Sequence, residues 1–126
     1  MIVTDIRVAQ FVEASLGEPI IPPFTCMGID RDGVITGGVV FNGFVGASIE
    51  MTVAGAGWNR TFLRSVWRYV FDQLGCERLG ITTESEIVAK LAERLGAARE
   101  GKMRNFYGKD RDAIVLGIMR KDLRLT

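Results

Sequence analysis

The chain has 126 residues, 48% of them hydrophobic and 25% charged, with a formal net charge of +1. That length buries one sizeable core without metals or disulfides, so residues 1–126 read as a single domain. Near-neutrality removes the electrostatic case for nucleic acid, the absence of histidine excludes Ser-His-Asp and Cys-His catalysis, and no apolar run nears the roughly 18 residues of a membrane span.

The amino terminus, MIVTDIRVAQ, has an acidic residue by its fifth position and no basic stretch leading into an apolar one. It does not read as a secretory signal, and the expected location is the cytoplasm. Residues 5 to 16 then place Ile6, Ala9, Val12 and Leu16 at helical spacing, with Asp5, Arg7, Gln10 and Glu13 between them, which predicts a short amphipathic helix. Gly17 and the prolines at 19, 22 and 23 end it. Thr25 to Ile29 is a strand candidate, and Asp32-Gly33 is a strong hairpin signal with a second strand beginning near Val34. VITGGVVFNGFVGASIEMTVAG is rich in β-formers and punctuated by glycine, so it predicts two strands joined around Asn42 to Gly46. Three antiparallel strands result.

The period changes at Asn59. Phe62, Leu63, Val66, Trp67, Val70, Phe71 and Leu74 recur at three- and four-residue steps, which predicts a long helix stopped by Gly75. Arg78 to Thr83 follows as a strand, and Ile87, Val88, Leu91 and Leu95 mark another helix ended by Gly96. Thr83 and Glu86 have the spacing of a capping box for its start. Arg99 to Tyr107 and Ala113 to Met119 are read as strands joined by the polar GKDRD turn. The predicted fold is α/β in the broad sense (α+β): one mixed, mostly antiparallel sheet with flanking helices. Cys26 and Cys76 stand far apart in different elements, offer no metal or disulfide pattern, and read as buried small residues.

One phrase, ERLGAAREGKMRNFYGKDRDAIVLGIMRKD, resembles the end of the GNAT superfamily of N-acetyltransferases, notably members similar to the ribosomal-protein alanine acetyltransferases and small phage or prophage proteins. Leu95-Gly96, Glu100-Gly101, Met103-Arg104 and Asp112 to Met119 stand in that family's order. YVFDQLGCERLGITTES resembles its long helix, turn and fifth strand. The resemblance runs from about Ser48 to Asp122, and the part before it looks shortened, with one helix and a proline-rich segment where the family has a strand and two helices.

What the resemblance implies is an acetyl-CoA-dependent transfer to a small-molecule or peptide amine, with no metal and no covalent enzyme intermediate. In such a fold the fourth and fifth strands splay, and the backbone of Met51 and Val53 would pair with the pantetheine arm. The pyrophosphate would lie at the start of the long helix, at Gly57, Asn59, Arg60 and Thr61, where unpaired N–H groups favour an anion. Ser85 would take the place of an asparagine that touches the cofactor. Glu50 is the candidate base and Tyr107 the candidate acid, since the tyrosine that many relatives carry on the last helix falls near Ala92.

Each assignment has a plain structural counterpart. Asn59 suits an ordinary N-cap, Glu50 an outward strand position, and Tyr107 a packing residue. A second reading is therefore a GNAT-shaped binding or structural protein without catalysis, of phage or prophage type. For it Phe44, Trp58 and Phe106 are the aromatic contact candidates. A homodimer or other homo-oligomer would complete an open acceptor groove through the sheet edge or the last strands.

Overall fold

A computed structural model describes residues 1–124. Its elements are β1 (Ile2–Val3), α1 (Ile6–Leu16), β2 (Thr25–Arg31), β3 (Val34–Asn42), β4 (Ser48–Gly55), α2 (Arg60–Trp67), β5 (Arg78–Thr83), α3 (Glu86–Arg94), β6 (Ala98–Met103) and β7 (Ala113–Met119). One sheet holds all seven strands in the order β1-β2-β3-β4-β5-β7-β6, and only the β4–β5 pair is parallel. No helix among the described residues is long and apolar enough to cross a membrane.

The two faces of the sheet are covered differently because alternate strand residues point to opposite sides. Val39, Phe41, Ile49, Met51, Leu79, Ile81, Leu116 and Ile118 join Phe62, Val66, Trp67, Val70 and Phe71 of the long helix and Ala89 and Ala92 of α3 in the main core. On the other face α1 packs across β2, β3 and β4, with Val12 against Val40 and Ala54. Gly28 and Gly38 let it approach, since a β-carbon at either would meet the Val8 side chain.

Turn chemistry sets the register. Asp32 and Gly33 both take positive φ, 54° and 85°, as a tight hairpin between β2 and β3 requires. Gly75 at φ 72° closes the long helix, whose last stretch, Arg68–Gln73, is π-helical. Asp5 caps α1 by accepting from the Arg7 N–H. Cys76 is buried, Cys26 half-buried, and both are free.

Three expectations are corrected. A short strand, β1, precedes α1: Ile2 and Val3 pair with Ile29 and Gly28, too few residues for periodicity to register. Ser85, not Thr83, is the N-cap of α3; its Oγ accepts from the Val88 N–H at 3.2 Å, while Thr83 Oγ1 accepts from the Ser85 N–H at 3.0 Å. β6 stops at Met103, so Tyr107 sits in a compact loop and not in a strand. Asn105 and Asp110 adopt positive φ there, Asn105 Oδ1 accepts from the Asp110 N–H, and Asp112 Oδ1 accepts from the Asn105 N–H. These local bonds turn the backbone out of the ladder.

Candidate functional site where β4 and β5 part

β4 and β5 pair from Ser48↔Arg78 to Thr52↔Thr82, and there the ladder ends. The Arg78 N–H donates to the Ala47 carbonyl at 3.1 Å, so odd-numbered residues of β4 direct their backbone groups toward β5. Met51 lies inside the ladder opposite Ile81, and its edge is therefore occupied by β5. The Met51 part of the pantetheine expectation is corrected on that ground. Val53 is the first β4 residue past the last pair, and its carbonyl stands at the opening.

The loop beyond β4 leads directly to the start of α2. Gly55 and Gly57 take φ of 87° and 92°. The chain passes so close to β3 that a β-carbon at Gly37 would strike the Ala56 carbonyl and lie 3.1 Å from the Trp58 ring. Asn59 is the N-cap: its Oδ1 accepts from the Phe62 N–H at 2.8 Å, and its carbonyl accepts from the Leu63 N–H at 3.0 Å. The N–H groups of Arg60 and Thr61, both exposed residues, are left outside this cap.

Cations gather at this end. Arg60 opens α2 and Arg64 follows in its last turn, and neither forms an ion pair among the described residues. Arg31, at the end of β2, brings its guanidinium within 4.0 Å of the place a Gly57 side chain would take, and it shares a hollow with Asn59. Asp30, nearby, is engaged by Arg7 at 2.9 Å and by the Gly33 N–H at 2.7 Å. Arg31 escaped the sequence reading because no periodicity links the end of β2 to a loop some 26 residues later; the hairpin signal at Asp32-Gly33 was its only trace.

On the α1 side of the sheet charged groups of both signs collect. Glu50 projects over β5, where its carboxylate occupies the space above Gly80. Arg78 and Glu100 lie in the same way above Gly117, paired at 2.7 Å. Thr52 and Thr82, directly opposite each other, share this face at the end of the ladder. Beyond them Arg111 pairs with Glu84 at 2.6 Å and donates to the Leu16 carbonyl at 3.3 Å, which ties the β6–β7 loop to the end of α1.

Beneath that tie Tyr107 is only 4% exposed, and its hydroxyl has no hydrogen-bond partner. Burial, with the negative charge of Glu84 adding to it and Arg111 opposing, pushes the phenol up to about 12. Tyr107 is therefore protonated at neutral pH.

The remaining expected residues divide. Val53, Gly57, Asn59, Arg60 and Thr61 follow one another along the chain from the opening to the start of α2, while Glu50 lies inside the ladder, over Gly80, two residues before the last pair. Ser85 is spent on capping α3, although α3 does form one wall of the apolar cavity behind that opening, a space of about 40 Å³. Phe44 and Phe106 are about half exposed, and Trp58 is half-buried against Phe62, with ring centroids 5.4 Å apart. No cluster of metal-ligating side chains occurs among the described residues.

No protein-family model and no curated protein matches the sequence. Solved structures do. The spermidine/spermine N-acetyltransferase SpeG from Vibrio cholerae superposes with a TM-score of 0.69 at 15% identity, over 96% of this chain and 95% of that one. A protein assigned to the GNAT family of acetyltransferases from Desulfovibrio desulfuricans gives 0.65 at 15%, over 94% and 98%. An acetyltransferase structure at 22% identity gives 0.66 over 87% of this chain, which spans 64% of that protein's length. The fold is that of the GNAT acetyltransferases.

Proposed function

We propose that the protein is an N-acetyltransferase that takes the acyl group from acetyl-CoA and passes it to an amine. The observation that carries this reading is the parting of β4 and β5 after Thr52↔Thr82, with the glycine loop and the α2 N-terminus at its edge and Arg31 beside that loop. Acetyl-CoA supplies an activated thioester. The residues present fit it: the Arg60 and Thr61 N–H groups with Arg31, Arg60 and Arg64 match a pyrophosphate, and the Val53 carbonyl offers an acceptor for an amide along the arm.

Chemistry on the other side suits the amine. Glu50, which forms no ion pair among the described residues, offers that face a carboxylate for a cation, and the polyamine named in the SpeG structures is an acceptor of that class. Glu50 takes the proton that the attacking nitrogen must lose, directly or through one water. Tyr107, the candidate acid, has its hydroxyl buried beneath the Arg111–Glu84 pair and would have to be uncovered before it could donate toward the departing sulfur.

The deciding experiment is calorimetry of acetyl-CoA binding with the parent protein, Arg60→Glu and Arg31→Glu. Saturable binding weakened at least tenfold by either reversal supports the reading, and an amine screen then follows. No binding at millimolar acetyl-CoA overturns it in favour of a GNAT-shaped binding protein. The exposed Phe44, Val45 and Ile21, with exposures of 52%, 76% and 69%, are the observation that favours this second reading.

A further inference from the structure

We propose that the cavity between α2 and α3 seats an aliphatic acyl chain longer than acetyl, of up to about four carbons. The inference rests on the acyl-transfer reading above and deepens it by naming the donor.

Position comes first. Val53 and Ile81 line the cavity, and they flank the last paired residues of β4 and β5. Trp58 and Phe62, from the loop and first turn of α2, form one wall; Val88 and Ala92 of α3 form the other. A ligand held by its phosphates at Asn59 to Thr61 therefore has this cavity directly behind the opening.

The lining then selects what enters. No polar atom faces the cavity; the buried, unpartnered Trp67 Nε1 presents none to it. The amide-bearing arm of coenzyme A would lose its hydrogen bonds to water there with nothing in exchange. A methyl or short alkyl end loses nothing and gains burial.

Size sets the length. A space of about 40 Å³ takes roughly three groups the size of a water or methylene, at about 10–15 Å³ each on this measure. That is the acetyl methyl and two carbons more, hence a butyryl group. The room exists because position 92 is alanine, 6% exposed and pressed against the core; a larger side chain would fill it.

The test is calorimetric affinity for coenzyme A, acetyl-CoA, propionyl-CoA and butyryl-CoA, on the parent and on Ala92→Leu. Each added methylene should tighten binding about fourfold, so butyryl-CoA, with two more than acetyl-CoA, should bind about fifteenfold tighter. In Ala92→Leu this gain should vanish. Binding of acetyl-CoA equal to or tighter than butyryl-CoA in the parent overturns the proposal and leaves the acetyltransferase reading intact. Failure of every thioester to bind removes both. Xenon binding to the parent, followed by NMR, covers the case in which Ala92→Leu does not fold: shifts at Ala92 and Ile81 support the site, and their absence overturns it.

Discussion

The Glu50 carboxylate lies flat on Gly80, filling the space a β5 side chain would occupy. A methyl group at position 80 meets only the end of a flexible side chain, so Gly80→Ala should fold with a melting temperature close to that of the parent. It should nevertheless displace Glu50. Amine acetylation is expected to fall about 10- to 100-fold in Gly80→Ala and at least as much in Glu50→Gln, with acetyl-CoA affinity retained in both. Full rates in the two variants would take Glu50 out of the reaction.

Tyr107 carries a buried hydroxyl with no partner, an arrangement that lowers stability. Tyr107→Phe should match the parent or exceed it by about 1 kcal/mol in urea unfolding at pH 7. The parent should also lose stability as pH rises from about 10 to 12: the unfolded phenol releases its proton near 10, while the folded one holds it to about 12. The loss should reach about 2 kcal/mol and be absent from Tyr107→Phe. If the hydroxyl is the acid, the more stable variant is the slower enzyme, and equal rates would leave Tyr107 a packing residue.

Asn59 serves the helix and sits among the cations. Removing its cap in Asn59→Ala should cost about 1 kcal/mol of stability. Asn59→Asp keeps an N-cap acceptor and should preserve the melting temperature, but it places a negative charge beside the proposed pyrophosphate. Acetyl-CoA affinity should then drop several-fold, more steeply at low salt. An unchanged affinity in Asn59→Asp would move the phosphates elsewhere.

Gly37 has an ordinary backbone conformation, yet it is less replaceable than Gly33, which sits at positive φ with open space around it. Gly37→Ala drives a methyl into the Ala56 carbonyl and the Trp58 ring, both on the loop that leads into α2. Chemical denaturation should show a loss of about 1–3 kcal/mol, and acetyl-CoA binding should weaken with it. Stability within 0.5 kcal/mol of the parent, about the usual spread for an inert surface change, would contradict this packing.

Much of the architecture is legible because it is local. Asp32-Gly33, Gly75 and Gly96 announce their turns, and the Phe62-Val66-Val70 spacing announces the long helix. β5 and β7 run from Arg78 to Thr83 and from Ala113 to Met119, as their apolar content predicts. Part of what failed was decided by partners distant in sequence, and part by short-range side-chain bonds. Two residues of β1 make a strand only because Gly28 and Ile29 are there to pair with. Tyr107 leaves the sheet because Asn105 and Asp112 bond the turn. Arg31 meets Gly57, and Glu50 meets Gly80, through strand neighbours that no spacing rule contains. The occupied edge of Met51 follows from where the parallel ladder ends, and only the register shows that.

Glu50 and Met51 are adjacent on β4 and therefore face opposite sides of the sheet, one toward the charged surface on the α1 side and the other toward the helices that line the apolar cavity. On the proposed reading this gives the two reactants separate doors. Neither must leave for the other to enter, so initial-rate plots against one reactant at fixed levels of the other should intersect instead of running parallel. A compound that joins an amine to coenzyme A would have to thread the gap past Thr52 and Thr82, and it should compete with both reactants.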